Sequence, residues 1–175
     1  DCPATVFLVT GFIDDRAWLW WNRIECGFAR ASHQVWRLAA EGTALDPGWS
    51  HARQRQTAAE AVTERLKWLP TEVRSAAIDD LLCTLEVDLP AQSSSEYAPM
   101  TWPEIRALNG ELVSFGPHTV THPILSLEDD ARARDEIVRS WSRVQAEVPG
   151  AVPAFCFPNG DPLSFGPREL GVLAE

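Results

Sequence analysis

No apolar run in this chain approaches the roughly 20 residues that a membrane-spanning helix needs. The apolar stretch Pro3 to Thr10 is too short, and it lacks the charged start of a secretion signal. Positive charge is scarce: 15 Lys and Arg stand against 25 Asp and Glu, for a formal charge of -10. That balance argues against a basic patch for nucleic acid and disfavours anionic partners, whereas a neutral partner fits it. The four cysteines, Cys2, Cys26, Cys83 and Cys156, form no C-x-x-C pair and are widely and irregularly spaced. Neither a zinc knuckle nor a small disulfide framework follows, and separate, mostly buried thiols are expected. Internal repeats and low-complexity tracts are also missing.

What is present suits an ordinary globular domain. The 175 residues can bury a real core, and 45% are hydrophobic against 23% charged. Residues 3–10 read as a short buried strand that Gly11 ends. Helices are expected from Arg16 to Ala31 and from Ala52 to Trp68, with a loop over 42–51 between them. Pro70 stops the second helix, and Thr71 is a candidate N-cap for a helical body from Arg74 to Leu85. Thr101-Trp102-Pro103-Glu104 carries the capping-box signature of a helix start, and Gly110 suits its C-cap. Leu112 to Phe115 reads as a strand. Ser126 is expected to open a helix running to about Val148, followed by a turn at Pro149-Gly150. A third strand is expected at Ala154–Phe157 and a last helix from Pro167. Strands alternating with helices predict an α/β fold with a parallel sheet, in one domain over 1–175 with a helical insertion at about 16–100.

Chemistry concentrates in two places. His118 and His122 lie four apart in Gly116-Pro117-His118-Thr119-Val120-Thr121-His122-Pro123. In one helical turn both imidazoles would share a face, at a spacing that suits two ligands of one ion. Pro123 would stop that turn from continuing. The pair also follows a strand end, where α/β folds place active sites. The competing reading is an incidental H-x-x-x-H whose rings only pack. His33 and His51 have no sequence partner and read as ordinary residues. The second place is Phe155-Cys156-Phe157-Pro158-Asn159-Gly160, an apolar run entering a tight turn. Such turns can aim backbone N–H groups at an oxyanion, though most are only turns. Eight tryptophans include Trp18, Trp20, Trp21 and Trp102; their faces could stack on sugars, with core packing the commoner use.

Together these blocks resemble the polysaccharide deacetylase family with the NodB-homology domain, carbohydrate esterase family 4. Pro3 to Ile13 is similar to its second strand, and Trp102 through Leu125 contains a match to its H-[ST]-x-x-H-P metal motif. Phe155 to Gly160 is similar to its third motif. The resemblance implies an incomplete distorted (β/α) barrel and hydrolytic removal of N- or O-acetyl groups from a polysaccharide or glycan. It implies a divalent metal, usually zinc, held by an Asp and by His118 and His122, which activates a water for attack on the acetyl carbonyl. It implies an oxyanion or substrate role for the turn Pro158, Asn159 and Gly160, with Asn159 where many members have Tyr. Cys156 stands where many members have an Arg. The family's Asp-Asp motif, with the catalytic base, is expected upstream of Asp1, and its catalytic His motif beyond Glu175. No catalytic base is therefore assigned within this chain, which is expected to be an inactive fragment that binds metal poorly and exposes strand edges. The other readings are a non-catalytic carbohydrate-binding relative of the same fold and an unrelated α/β domain with structural histidines.

Overall fold

Two short strands pair in parallel: β1 (Ala4–Leu8) against β2 (Val113–Pro117), with Ala4 opposite Val113 and Leu8 opposite Pro117. This is the arrangement in a computed structural model that describes residues 2–31 and 52–175. His33, His51 and the loop expected over 42–51 lie outside the described residues. The chain divides into two compact units, residues 1–17 with 92–175 and residues 18–91.

In the first unit, β1 stops at Leu8 and α1 (Thr10–Asp15) follows at once, where the sequence suggested that the strand ran on to Gly11. Helix α1 has no side-chain cap. Its early amides are satisfied instead by a distant loop: Thr10 N donates to Thr119 O at 3.1 Å and Gly11 N to Val120 O at 2.9 Å. Strand β1 is exposed over most of its length rather than buried, because among the described residues it pairs on one side only.

The second unit is a helical packet of α2 (Trp20–Arg30), α3 (Ala52–Lys67) and α4 (Thr71–Thr84). Its core includes Ile24 and Phe28 from α2, Val62 and Leu66 from α3, and Ile78 and Leu81 from α4. Thr71 is the first residue of α4, not its cap, and its hydroxyl accepts from Arg74 Nη2 at 3.1 Å. Trp20 packs on this core and under the Arg74 guanidinium, 4.6 Å from ring to cation.

Back in the first unit, α5 (Trp102–Leu108) begins with the expected capping box, in which Thr101 N donates to Glu104 Oε2 at 2.7 Å. Asn109, in extended geometry, is its C-cap; Gly110 N instead donates to Val113 O in the turn that enters β2. Helix α6 (Asp130–Glu147) is capped by Asp129, which accepts from Arg132 N at 2.8 Å. Ser126 is not that cap, because its hydroxyl is used elsewhere, donating to Leu163 O at 2.7 Å. Helix α7 (Pro167–Leu173) starts at the expected proline.

Helix α6 joins two core clusters. Val144 packs with Leu8, Trp102, Ile105 and Phe115, while Ala133 and Ile137 pack with Leu125 and the partly buried Phe155 and Phe157. Trp102 is a buried packing residue whose indole N–H donates to Asp14 at 2.7 Å, so it is not an open sugar platform. All four cysteines are free, but only Cys26 is buried; Cys2 and Cys83 are exposed.

Residues 154–157 do not form a regular strand. The segment nevertheless runs beside the second edge of β2, with Val152 N donating to Phe115 O at 2.9 Å and Cys156 N to Pro117 O at 3.3 Å. Between those bonds the segment advances by more residues than β2 does, so it bulges. Pro153 and Pro117 have no N–H to complete a ladder. Gly116 permits the close approach: a Cβ there would lie 3.0 Å from Ala154 O.

Candidate metal centre

The loop from His118 to His122 leaves the C-terminal end of β2 and is tied down on both sides. His118 N still donates to Leu8 O of β1 at 2.9 Å, which extends the parallel pairing by one residue. The carbonyls of Thr119 and Val120 take the α1 amides already described. A Cβ on Gly11 would sit 2.8 Å from Val120 O, so only glycine allows this approach without a shift.

The loop is not the helical turn that the four-residue spacing suggested. Thr119 and His122 both adopt left-handed backbone, with φ of 66° and 59°. Such φ is uncommon for non-glycine residues and exceptional for β-branched threonine. Pro123 keeps His122 out of the right-handed helical region, since a following proline disfavours it, but by itself favours extended backbone, so the positive φ comes from the loop's other contacts. The buried Thr119 side chain stabilises the turn from within: its hydroxyl donates to His118 O and accepts from His122 N at 2.9 Å.

This fold still brings the two imidazoles together. Their ring centroids are 4.7 Å apart and the planes cross at 77°. His118 Nδ1 lies 2.7 Å from the carbonyl oxygen of Cys156. A carbonyl only accepts, so Nδ1 carries the proton and Nε2 keeps its lone pair. A second hydrogen bond that sets the tautomer in this way is the usual support of a metal-ligating histidine. His118 is half-buried. Burial holds its pKa below the ordinary imidazole value, and the bond to the Cys156 carbonyl opposes that in part. The ring therefore stays neutral at pH 7, the form that ligates. Nδ1 of His122 is closed off from solvent.

Cys156, whose carbonyl meets His118, stands two residues before the Pro158-Asn159-Gly160 turn. Asn159 and Gly160 both have positive φ, 68° and 58°, and are exposed, while Pro158 is buried. Burial raises the pKa of the Cys156 thiol, so it is protonated at neutral pH.

Sequence reasoning missed Glu136. Its buried carboxylate, in the middle of α6, accepts from Val120 N at 2.7 Å and Thr121 N at 2.9 Å, and from the Thr121 hydroxyl at 2.7 Å. The available signal was a carboxylate on the same face of α6 as buried Ala133 and Ser140. An open cleft of about 460 Å³ borders this clamp, lined by Thr121 and by Asp129, Arg132, Asp135 and Arg139 of α6 and its cap. Among the described residues, no three His, Cys, Asp or Glu side chains converge as a complete metal site.

No protein-family profile matches this chain, and no curated protein or solved structure matches it either. The coarse class follows from the coordinates alone: a mixed helix–strand fold with a small open parallel sheet.

Proposed function

We propose that this chain carries the two-histidine part of the metal site of a carbohydrate deacetylase of the NodB-homology type, on an incomplete distorted (β/α) barrel. The observation that carries the reading is the His118–His122 pair at a parallel strand end, with its rings 4.7 Å apart and the His118 Nδ1 proton committed to the Cys156 carbonyl. The alternation of β1, helices, β2, α6, the bulged 152–156 segment and α7 supports the barrel half of the proposal.

The donor set fits zinc in part. His118 and His122 would hold it as two neutral imidazoles, and the remaining protein ligand of a three-ligand site is not among the described residues. When bound, zinc would polarise the acetyl carbonyl and lower the pKa of a coordinated water. The chain's own residues hold the pair: the Cys156 carbonyl keeps the His118 proton on Nδ1, and the left-handed turn keeps His122 beside it. The exposed Asn159-Gly160 backbone is the candidate donor to the oxyanion. The substrate in this reading is a neutral, acetylated glycan, in keeping with the acidic chain.

Zinc titration by calorimetry on the wild-type chain and on the His118→Ala/His122→Ala double variant tests the reading. Binding that disappears in the double variant is the expected result, weaker than at a complete three-ligand site. Identical heats from both proteins would sink the metal centre.

A further inference from the structure

The strained turn that carries both histidines is gripped from outside by one buried side chain. Glu136 Oε2 receives the consecutive amides of Val120 and Thr121, and Oε1 receives the Thr121 hydroxyl. These residues lie between the two left-handed positions, Thr119 and His122. Nothing else in α6 reaches the two amides, so the path of the loop between the rings depends on this carboxylate. Its own helix holds it in place: Ile137, the next residue, is fully buried in a core cluster, and Ser140 bonds back to Glu136 O at 2.7 Å.

We propose that Glu136 is a positioning residue for the histidine pair. By accepting from the two amides between the rings, it keeps the turn left-handed and both imidazoles side by side, and metal affinity depends on it although it touches no metal. This rests on the deacetylase reading for its purpose, but the geometric claim can be tested without metal. Partners that orient ligating histidines typically change metal affinity by roughly 10–100-fold when removed.

The experiment compares Glu136→Ala, Glu136→Gln and Ile137→Val in the full chain. Glutamine keeps a carbonyl oxygen for the two amides and can donate to the Thr121 hydroxyl, so it is the conservative rescue. Ile137→Val loosens the same stretch of helix without touching the loop. NMR of the His118 and His122 ring signals, in metal-free protein, is the first readout, and zinc affinity is the second. Glu136→Ala is expected to move both sets of ring signals and to weaken zinc binding by roughly 10–100-fold, while Glu136→Gln stays near wild type and Ile137→Val leaves the rings unmoved. Should Glu136→Ala fail to fold, Glu136→Asp, whose carboxylate is drawn back by one methylene, carries the same comparison. Ring signals that do not move in the Ala or Asp variant, or that move as far in Ile137→Val, overturn the positioning role. Absence of histidine-dependent zinc binding in the wild type overturns the deacetylase reading instead, and the ring signals still decide the role of Glu136.

Discussion

At the scale of single residues, the histidine loop shows how few atoms separate a working turn from a distorted one. Gly11 has no room for a methyl group, because a Cβ would lie 2.8 Å from a backbone oxygen that cannot swing aside. Gly11→Ala is expected to destabilise the chain by about 1–3 kcal/mol, the usual range for overpacking. Urea unfolding measures that loss, and the Val120 amide should exchange faster in the variant. His118 supplies a pH test. Burial is the main cause of its lowered pKa, so the folded chain resists a proton that the unfolded chain accepts near 6.5. The unfolded state then binds more protons between the two pKa values, and stability falls as pH drops below about 6.5. Thermal midpoints scanned from about pH 8 to about pH 5 should fall in wild type, with a shallower slope in His118→Asn.

At the scale of elements, helix ends are satisfied by whatever donor or acceptor the fold delivers. Helix α5 follows its local sequence, because Thr101 and Glu104 cap each other without outside help. Thr101→Ala should therefore cost about 1 kcal/mol, as for other N-caps, read from the shift in the urea midpoint. Helix α1 has the opposite origin: its amides are taken by a loop more than 100 residues away, and no cap in its own sequence announces it. Asp14, at the far end of α1, ties that helix to α6 through a bidentate pair with Arg143 at 2.8–3.0 Å. Burial works to raise its carboxyl pKa, but the bonds from Arg143 and Trp102 outweigh it and hold the pKa below the ordinary value. That stabilisation is present above the unfolded pKa and is lost as pH falls through the lower folded one. An acid titration of Asp14→Asn should lack this component, leaving a smaller loss of stability below about pH 4 than in wild type.

At the scale of the whole molecule, each unit has its own core. In the helical unit, Leu81 is fully buried among α2, α3 and α4 residues. Leu81→Ala should cost about 2–5 kcal/mol, and hydrogen exchange at the α2 and α4 amides would register it. In the other unit, the outer edge of β1 has no strand partner among the described residues, and Val6 is 43% exposed on it. An open edge invites strand-to-strand association, which an edge lysine suppresses. Val6→Lys should lower self-association in light scattering while leaving the thermal midpoint nearly unchanged; unchanged association would assign the contacts elsewhere.

The amino-acid sequence by itself determined what local chemistry controls. The parallel strand–helix alternation, the α5 capping box, the proline start of α7 and the closeness of His118 to His122 were all readable, because each rests on residues a few positions apart. Only the tertiary structure decided what depends on distant partners. Residues 154–157 look like a strand by composition, but Pro153 and Pro117 cannot complete the ladder once the segment lies beside β2. Four-residue spacing suggests a helical turn at the histidines, yet contacts from α1, α6 and the Cys156 carbonyl hold them in a left-handed one. Glu136 looks like any helical carboxylate until α6 packs against the loop and two loop amides meet its carboxylate. Periodicity reports which face of an element is apolar, whereas the partner of a buried polar group is chosen only when remote segments meet.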